Sequence, residues 1–213
     1  FTAQLEQMTG IETINAGVNA YGIDQAVLMW ERHGRPLKPN VVVLGYYVDD
    51  FYRNLLAVRD KPKPHFRRDP QTGQFVLQGT DMARRRLAEL QARPWAPMDL
   101  RVVEAAAWFK RRALAKLGHV EDDTMALGSE LSHFLLARLD ASVRATGAKL
   151  VVVFIGDRYG NSAEHSWIEA RVMKSCADLA IACVNLAESM ENAGRDPHFG
   201  DDHHFSVLGH RFA

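Results

Sequence analysis

The sequence predicts an α/β protein, a parallel sheet covered by helices on both faces. Three observations lead there. Two short runs, Val41–Tyr47 (VVVLGYY) and Leu150–Ile155 (LVVVFI), are continuous β-branched and aromatic stretches of strand length, as in strands buried on both faces. Segments with helical spacing separate the strand-like runs, giving the order strand, helix, strand, long helical section, strand, helix, strand. The chain of 213 residues is 47% hydrophobic and 24% charged, enough to bury the core of one domain.

Ile11–Ala16 (IETINA) reads as a short strand ending at Gly17. From Asp24 to His33 the spacing of Ala26, Val27 and Trp30 is helical, and Gly34 and Pro36 stop it. Residues Lys61–Thr80 are rich in Pro, Gly and charge and read as a surface insertion with a hairpin around Thr72-Gly73. Helices are predicted over Met82–Ala92, Asp99–Leu117 and Asp123–Thr146, the last closed by Gly147. After the Leu150–Ile155 strand come a helix over Ala163–Leu179, a strand over Ile181–Asn185, and a last helix opening at Ser206, a good N-cap residue. No internal repeat is visible, and the whole reads as a single domain over 1–213.

Lys+Arg and Asp+Glu are both 26, so the formal net charge is zero and nothing favours nucleic acid as a partner. The Arg runs at Arg67-Arg68, Arg84–Arg86 and Arg111-Arg112 read as solvated faces. No apolar run approaches the ~20 residues of a membrane-spanning helix. The two cysteines, Cys176 and Cys183, read as small buried residues on a helix and the next strand.

In parallel sheets, ligands bind at the carboxyl ends of the strands. Those ends carry Asn15-Ala16-Gly17, Asp49-Asp50 and Gly156-Asp157. Near the C-terminus, Gly200–Ala213 (GDDHHFSVLGHRFA) places His204 just before a helix and beside Asp201 and Asp202. A general base needs an acceptor to hold its ring so that one nitrogen faces the nucleophile. Asp202 fits that role by Asp-x-His spacing and Asp201 by Asp-x-x-His. His198, Asp201, Asp202, His203 and His204 also have ligand types suited to zinc, but adjacent histidines seldom converge on one ion, and no second cluster supports a metal. No cofactor is expected.

Two blocks together resemble the SGNH hydrolases, the GDSL-type esterases and lipases. The first is Asn15–Gln25 (NAGVNAYGIDQ) followed by Val41–Tyr47 and Val48–Asn54 (VDDFYRN); the second is Gly200–Ala213. The resemblance covers nearly the whole chain and implies a flavodoxin-like three-layer α/β/α fold that hydrolyses or transfers an acyl ester through Ser, His and Asp. Lipids, acetylated carbohydrates and small esters are the substrates implied. His204 would be the base, with Asp202 or Asp201 orienting it.

The family's Gly-Asp-Ser block is absent. Phe1–Gly10 resembles the helix that follows it, and Gly156-Asp157-Arg158 is a near copy that comes too late and carries Arg for Ser. In the family's strand order, the first strand lies between the second and third. Without it, Ile11–Ala16 and Val41–Tyr47 would flank a gap of unpaired backbone groups, about 1–3 kcal/mol each. The serine-bearing strand is therefore expected before Phe1, as is any leader or membrane anchor of the kind many relatives carry.

The family's oxyanion hole combines a backbone N–H at a glycine of the second block with an Asn side-chain amide of the third. The corresponding positions here are Ala20 and Asp49. Ala20 keeps its N–H. A carboxylate at Asp49 cannot donate, and losing one such donor typically slows turnover by about 10²–10³. Asn19 and Asn54 are nearby amides able to substitute, and Asp49 also reads as a helix cap. That departure leaves a second expectation, a non-catalytic binding or assembly protein on the same fold.

Overall fold

The computed structural model describes residues 2–59, 62–80, 121–156, 163–193, 205, 206 and 209. The chain divides into two compact units, one formed by 1–54 with 132–213 and the other by 55–131.

The first unit is built on a three-stranded parallel sheet in the order β1-β4-β5. Its strands are β1 (Val41–Tyr47), β4 (Lys149–Ile155) and β5 (Ala182–Asn185). The register pairs Leu44 with Val152 and Tyr46 with Phe154, so one face carries Leu44, Tyr46, Leu150, Val152 and Phe154, all buried. The long helix α4 (Glu121–Arg144) lies over this face, and the Tyr46 hydroxyl and Ser132 Oγ are 2.8 Å apart. Helix α2 (Ile23–Met29) runs on through a π-helical turn, Trp30–Gly34, and a 3-10 turn, Arg35–Leu37. Trp30 Nε1 donates to Ser142 Oγ at 3.0 Å, and Arg138 grips Glu31 through two bonds of 2.7 and 2.9 Å, tying this segment to α4.

Helix α5 (Ala163–Asp178) joins β4 to β5, and α6 (Leu186–Ala193) follows at once. Leu186 and Met190 of α6 are buried together, with Val153, Ile155 and Phe205 packed against them. Val153 and Ile155 belong to the opposite face from Leu150, Val152 and Phe154, since side chains alternate along a strand. Helices thus flank both faces of a parallel sheet, and the α/β expectation is met. No described helix is long and apolar enough to cross a membrane.

Two expectations are corrected. Ile11–Ala16 is not a strand: it follows α1 (Thr2–Thr9) as irregular chain, with Ile11 67% and Ile14 57% exposed. Side chains take over its backbone groups. Thr9 Oγ1 accepts from the Ile11 N–H, Glu6 from the Thr13 N–H and Asn15 from the Gly17 N–H, while the Thr13 hydroxyl donates to the Ile11 carbonyl. Such local bonds compete with a sheet ladder. Nor is β1 buried on both faces, because Val41 is 50% and Val43 45% exposed. Among the described residues β1 pairs only with β4, so its outer edge lacks a neighbouring strand.

In the second unit, β2 (His65–Arg68) and β3 (Phe75–Gln78) form the expected antiparallel hairpin. Gly73, at φ +70°, sits in its turn, where the Gly73 N–H bonds to the Asp69 carbonyl at 2.8 Å. Arg68 of this hairpin pairs with Glu130. The helices expected over Met82–Ala92 and Asp99–Leu117 lie outside the described residues.

Candidate functional site

The tip of β1 gathers two parts of the chain that are distant in sequence. A turn at Val18–Tyr21 closes through the Tyr21 N–H and the Val18 carbonyl, 3.3 Å apart, and carries Ala20 at φ +68°. Positive φ at the third position is the type II pattern, which glycine takes without steric cost. Just beyond, a Cβ on Gly22 would lie 2.9 Å from Asn54 Oδ1 and 3.2 Å from Arg53 Cβ. Only glycine permits that approach. The Asp24 backbone N–H then donates to Asn54 Oδ1 at 3.3 Å, and both residues are wholly removed from solvent. The Asn15–Gln25 segment is thereby fastened to helix α3 (Asp50–Leu55), which opens right after β1.

The conformation of Ala20 yields a direct prediction. A left-handed alanine costs roughly 1–2 kcal/mol relative to its usual backbone states, partly offset by the greater unfolded freedom of glycine. Ala20→Gly should therefore stabilise the protein by about 0.5–1 kcal/mol in urea unfolding. A loss of stability would show that the turn does not hold this conformation in solution.

The electrostatics centre on Asp50 rather than Asp49. Asp50 is buried, accepts the N–H of Tyr47 at 3.1 Å and pairs with Arg53 at 2.9 Å. Burial pushes its carboxyl up to about 6, against the lowering effect of the Arg53 charge and of the Tyr47 N–H. Asp49 is half exposed, and its carboxylate lies 3.9 Å from Arg53. Its carbonyl accepts the N–H groups of Tyr52 and Arg53, so it stands at the cap position of α3. The Arg53 guanidinium also lies over the Tyr47 ring, 5.6 Å from its centroid. Phe51 anchors the helix beneath, edge-on to Trp167 of α5 with centroids 6.1 Å apart.

Among the sequence-predicted residues, Ala20 is half-buried in its turn and Asn19 is exposed beside it. Asn54 is the amide that reaches the interior, and its Nδ2 is buried with no hydrogen-bond partner. His204, Asp202 and Asp201 lie outside the described residues, as do His198, His203, His210 and most of Gly156–Gly160. The residue after His204 in sequence is described. Phe205 packs on the Leu186–Met190 cluster, as Ile155 does, and Ile155 is the cross-strand partner of Tyr47 at the tip of β1. Ser206 Oγ accepts the Gly209 N–H at 3.1 Å, the N-cap bond expected of it.

Sequence reasoning places Asp50 beside Asp49 at the end of a strand without marking it as buried, and it passes over the buried Asp24. Their positions carry a signal, since each opens a helix, but short acids there usually face solvent. Among the described residues, no group of three or more His, Cys, Asp or Glu is placed to hold a metal ion.

Sheet and tip together define an α/β protein with a polar cluster where the first strand of the sheet ends. No protein-family model, curated protein or solved structure matches the chain.

Proposed function

We propose that this protein is an SGNH-type serine hydrolase or acyltransferase acting on an acyl ester of a lipid, an acetylated carbohydrate or a small alcohol. One observation carries the reading. Phe205, next to His204, shares a hydrophobic cluster with Ile155, whose strand partner Tyr47 leads into Asp49 and α3. Phe205, which follows the Asp-x-His block in sequence, thus packs near the carboxyl end of the sheet to which the two early blocks belong, where such folds bind ligands. The order β1-β4-β5 supports it as well, since it matches the run of third, fourth and fifth strands in a flavodoxin-like sheet.

In this mechanism a serine of a Gly-Asp-Ser block, which residues 1–213 do not contain, attacks the ester carbonyl. His204 takes its proton and returns it to the departing alcohol, and Asp202 or Asp201 orients the imidazole. The acyl group passes to water in a hydrolase and to a second alcohol in a transferase. The Ala20 N–H serves the oxyanion. Asp49 cannot serve as its partner while ionised, and Asn54, the amide at this tip with a donor to spare, is wholly buried, out of reach of a substrate. Asn54 is also a positioning residue, because its carbonyl oxygen holds the segment behind Ala20.

The second reading, a non-catalytic binding or assembly protein, draws on the carboxylate at Asp49. Turnover of p-nitrophenyl acetate by the full-length protein separates the two. Saturable hydrolysis supports the enzyme, and a rate no faster than buffer supports the binder.

A further inference from the structure

Arg53 of α3 stands between the Ala20 turn and the end of β1. On one side, a Cβ on Gly22 would lie 3.2 Å from Arg53 Cβ, so α3 holds this residue against the segment that follows Ala20. On the other, Arg53 Nη1 donates to Asp50 Oδ1 at 2.9 Å, and the guanidinium lies over the Tyr47 ring, 5.6 Å from its centroid. These two contacts fix the guanidinium in place. Nη2 points to Asp49 Oδ2 across 3.9 Å, too far for a hydrogen bond. Among the described residues, the bond from Nη1 to Asp50 is the one hydrogen bond of this guanidinium, so Nη2 keeps N–H groups to donate. The Arg53 side chain is 22% exposed, whereas Asn54 is wholly buried, so Arg53 is a donor at this tip that a substrate can touch.

We propose that Arg53 is a catalytic residue, the oxyanion donor that replaces the amide missing at Asp49. The inference rests on the ester chemistry proposed above and adds a residue to it. In the first step the serine oxygen bonds to the carbonyl carbon, the carbonyl π pair moves onto its oxygen, and the serine proton passes to His204. Arg53 Nη2 donates to that negative oxygen. On collapse the pair returns, the bond to the alcohol breaks, and His204 gives its proton to the leaving oxygen. A guanidinium suits the task because it stays charged at every working pH. Its fork, already held by Asp50 and Tyr47, needs little reorganisation as charge develops. The Asp49 carboxylate opposes the oxyanion, but it is 50% exposed and screened by water, while the Arg53 charge is the better shielded of the two and acts more strongly.

The test compares p-nitrophenyl acetate turnover by the full-length wild type, Arg53→Met and Arg53→Lys. Arg53→Met, which keeps the bulk and removes every donor, should lower kcat by about 10²–10³-fold with KM little changed, the loss expected for one oxyanion donor. Arg53→Lys keeps the charge and should lose less. Because Arg53→Met also leaves Asp50 without its ion pair and folding can suffer, a second measurement uses the wild type alone. In a crystal structure of the protein inactivated by a p-nitrophenyl alkylphosphonate, the phosphonyl oxygen occupies the oxyanion position and should lie about 3 Å from Arg53 Nη2. A kcat unchanged in Arg53→Met, or a phosphonyl oxygen held away from Arg53, would overturn the proposal and leave the ester reading standing. A wild type that does not turn over the ester would remove both.

Discussion

His204→Ala in the full-length protein should slow p-nitrophenyl acetate turnover by about 10²–10⁴-fold, the range a positioned general base contributes. The loss should fall on kcat, because the imidazole acts on the serine proton and not on binding of the acetyl group. Far-ultraviolet circular dichroism should be unchanged, which separates lost chemistry from lost structure. Asp202→Asn and Asp201→Asn then assign the orienting acid. The true partner should lose nearly as much activity as His204, since an amide selects the wrong imidazole tautomer, while the other should lose little. Equal rates in wild type and His204→Ala would remove His204 from the mechanism.

Asp50→Asn should produce the largest change in stability, and the effect should depend on pH. Folding holds the Asp50 proton up to about pH 6, against an ordinary value of 3.8. Between those values the folded state binds more protons than the unfolded state, so stability falls as pH rises through the window. The separation corresponds to about 3 kcal/mol at most. Below pH 4 the two states are equally protonated and this contribution vanishes. Above pH 6 it is fully developed as a destabilisation. Asparagine does not titrate, so the variant should gain up to about 3 kcal/mol over the wild type on going from pH 4 to pH 7. The Arg53 charge pair forms only where Asp50 is ionised, and its lowering effect is already contained in the value of about 6, so it adds no separate contribution. Parallel urea-unfolding curves for the two proteins would show that burial of the carboxyl is not what sets its proton affinity.

A buried acid that weakens the fold at neutral pH has two local uses. It accepts the last amide of β1 and fixes Arg53, which in turn lies over Tyr47. Charge as well as packing thus ties the tip of β1 to α3.

Much of this architecture is legible in the sequence. Val41–Tyr47 forms the strand expected there, because a run of β-branched and aromatic residues suits few other environments. The helices over Glu121–Arg144 and Ala163–Asp178 fall within a few residues of their expected bounds. Cys176 and Cys183 lie on a helix and the following strand, as read. Ile11–Ala16 misleads because its composition favours a strand while Thr9, Thr13 and Asn15 offer the backbone nearer partners. Helix α6 went unassigned, although Asn185 accepts the Glu188 N–H as a cap and Leu186 and Met190 stand four apart.

The electrostatics of the β1 tip are not legible in the sequence. Ala20 and Asp49 stand out as departures from a pattern, with Asn54 as a nearby amide, and the turn at Ala20 does adopt the positive φ that a glycine would favour. Which of two adjacent aspartates is buried depends on the direction in which α3 leaves β1. That is a tertiary fact, and composition holds no trace of it. The same is true of Asp24, buried beneath Asn54 thirty residues further along the chain.

The most direct measurement is covalent labelling of the full-length protein with a fluorophosphonate, followed by peptide mapping. A serine nucleophile served by His204 should be modified at one position per molecule, within a Gly-Asp-Ser sequence, and His204→Ala should suppress the modification. Ester turnover without any labelled serine, or labelling indifferent to His204, would contradict the catalytic account at its root.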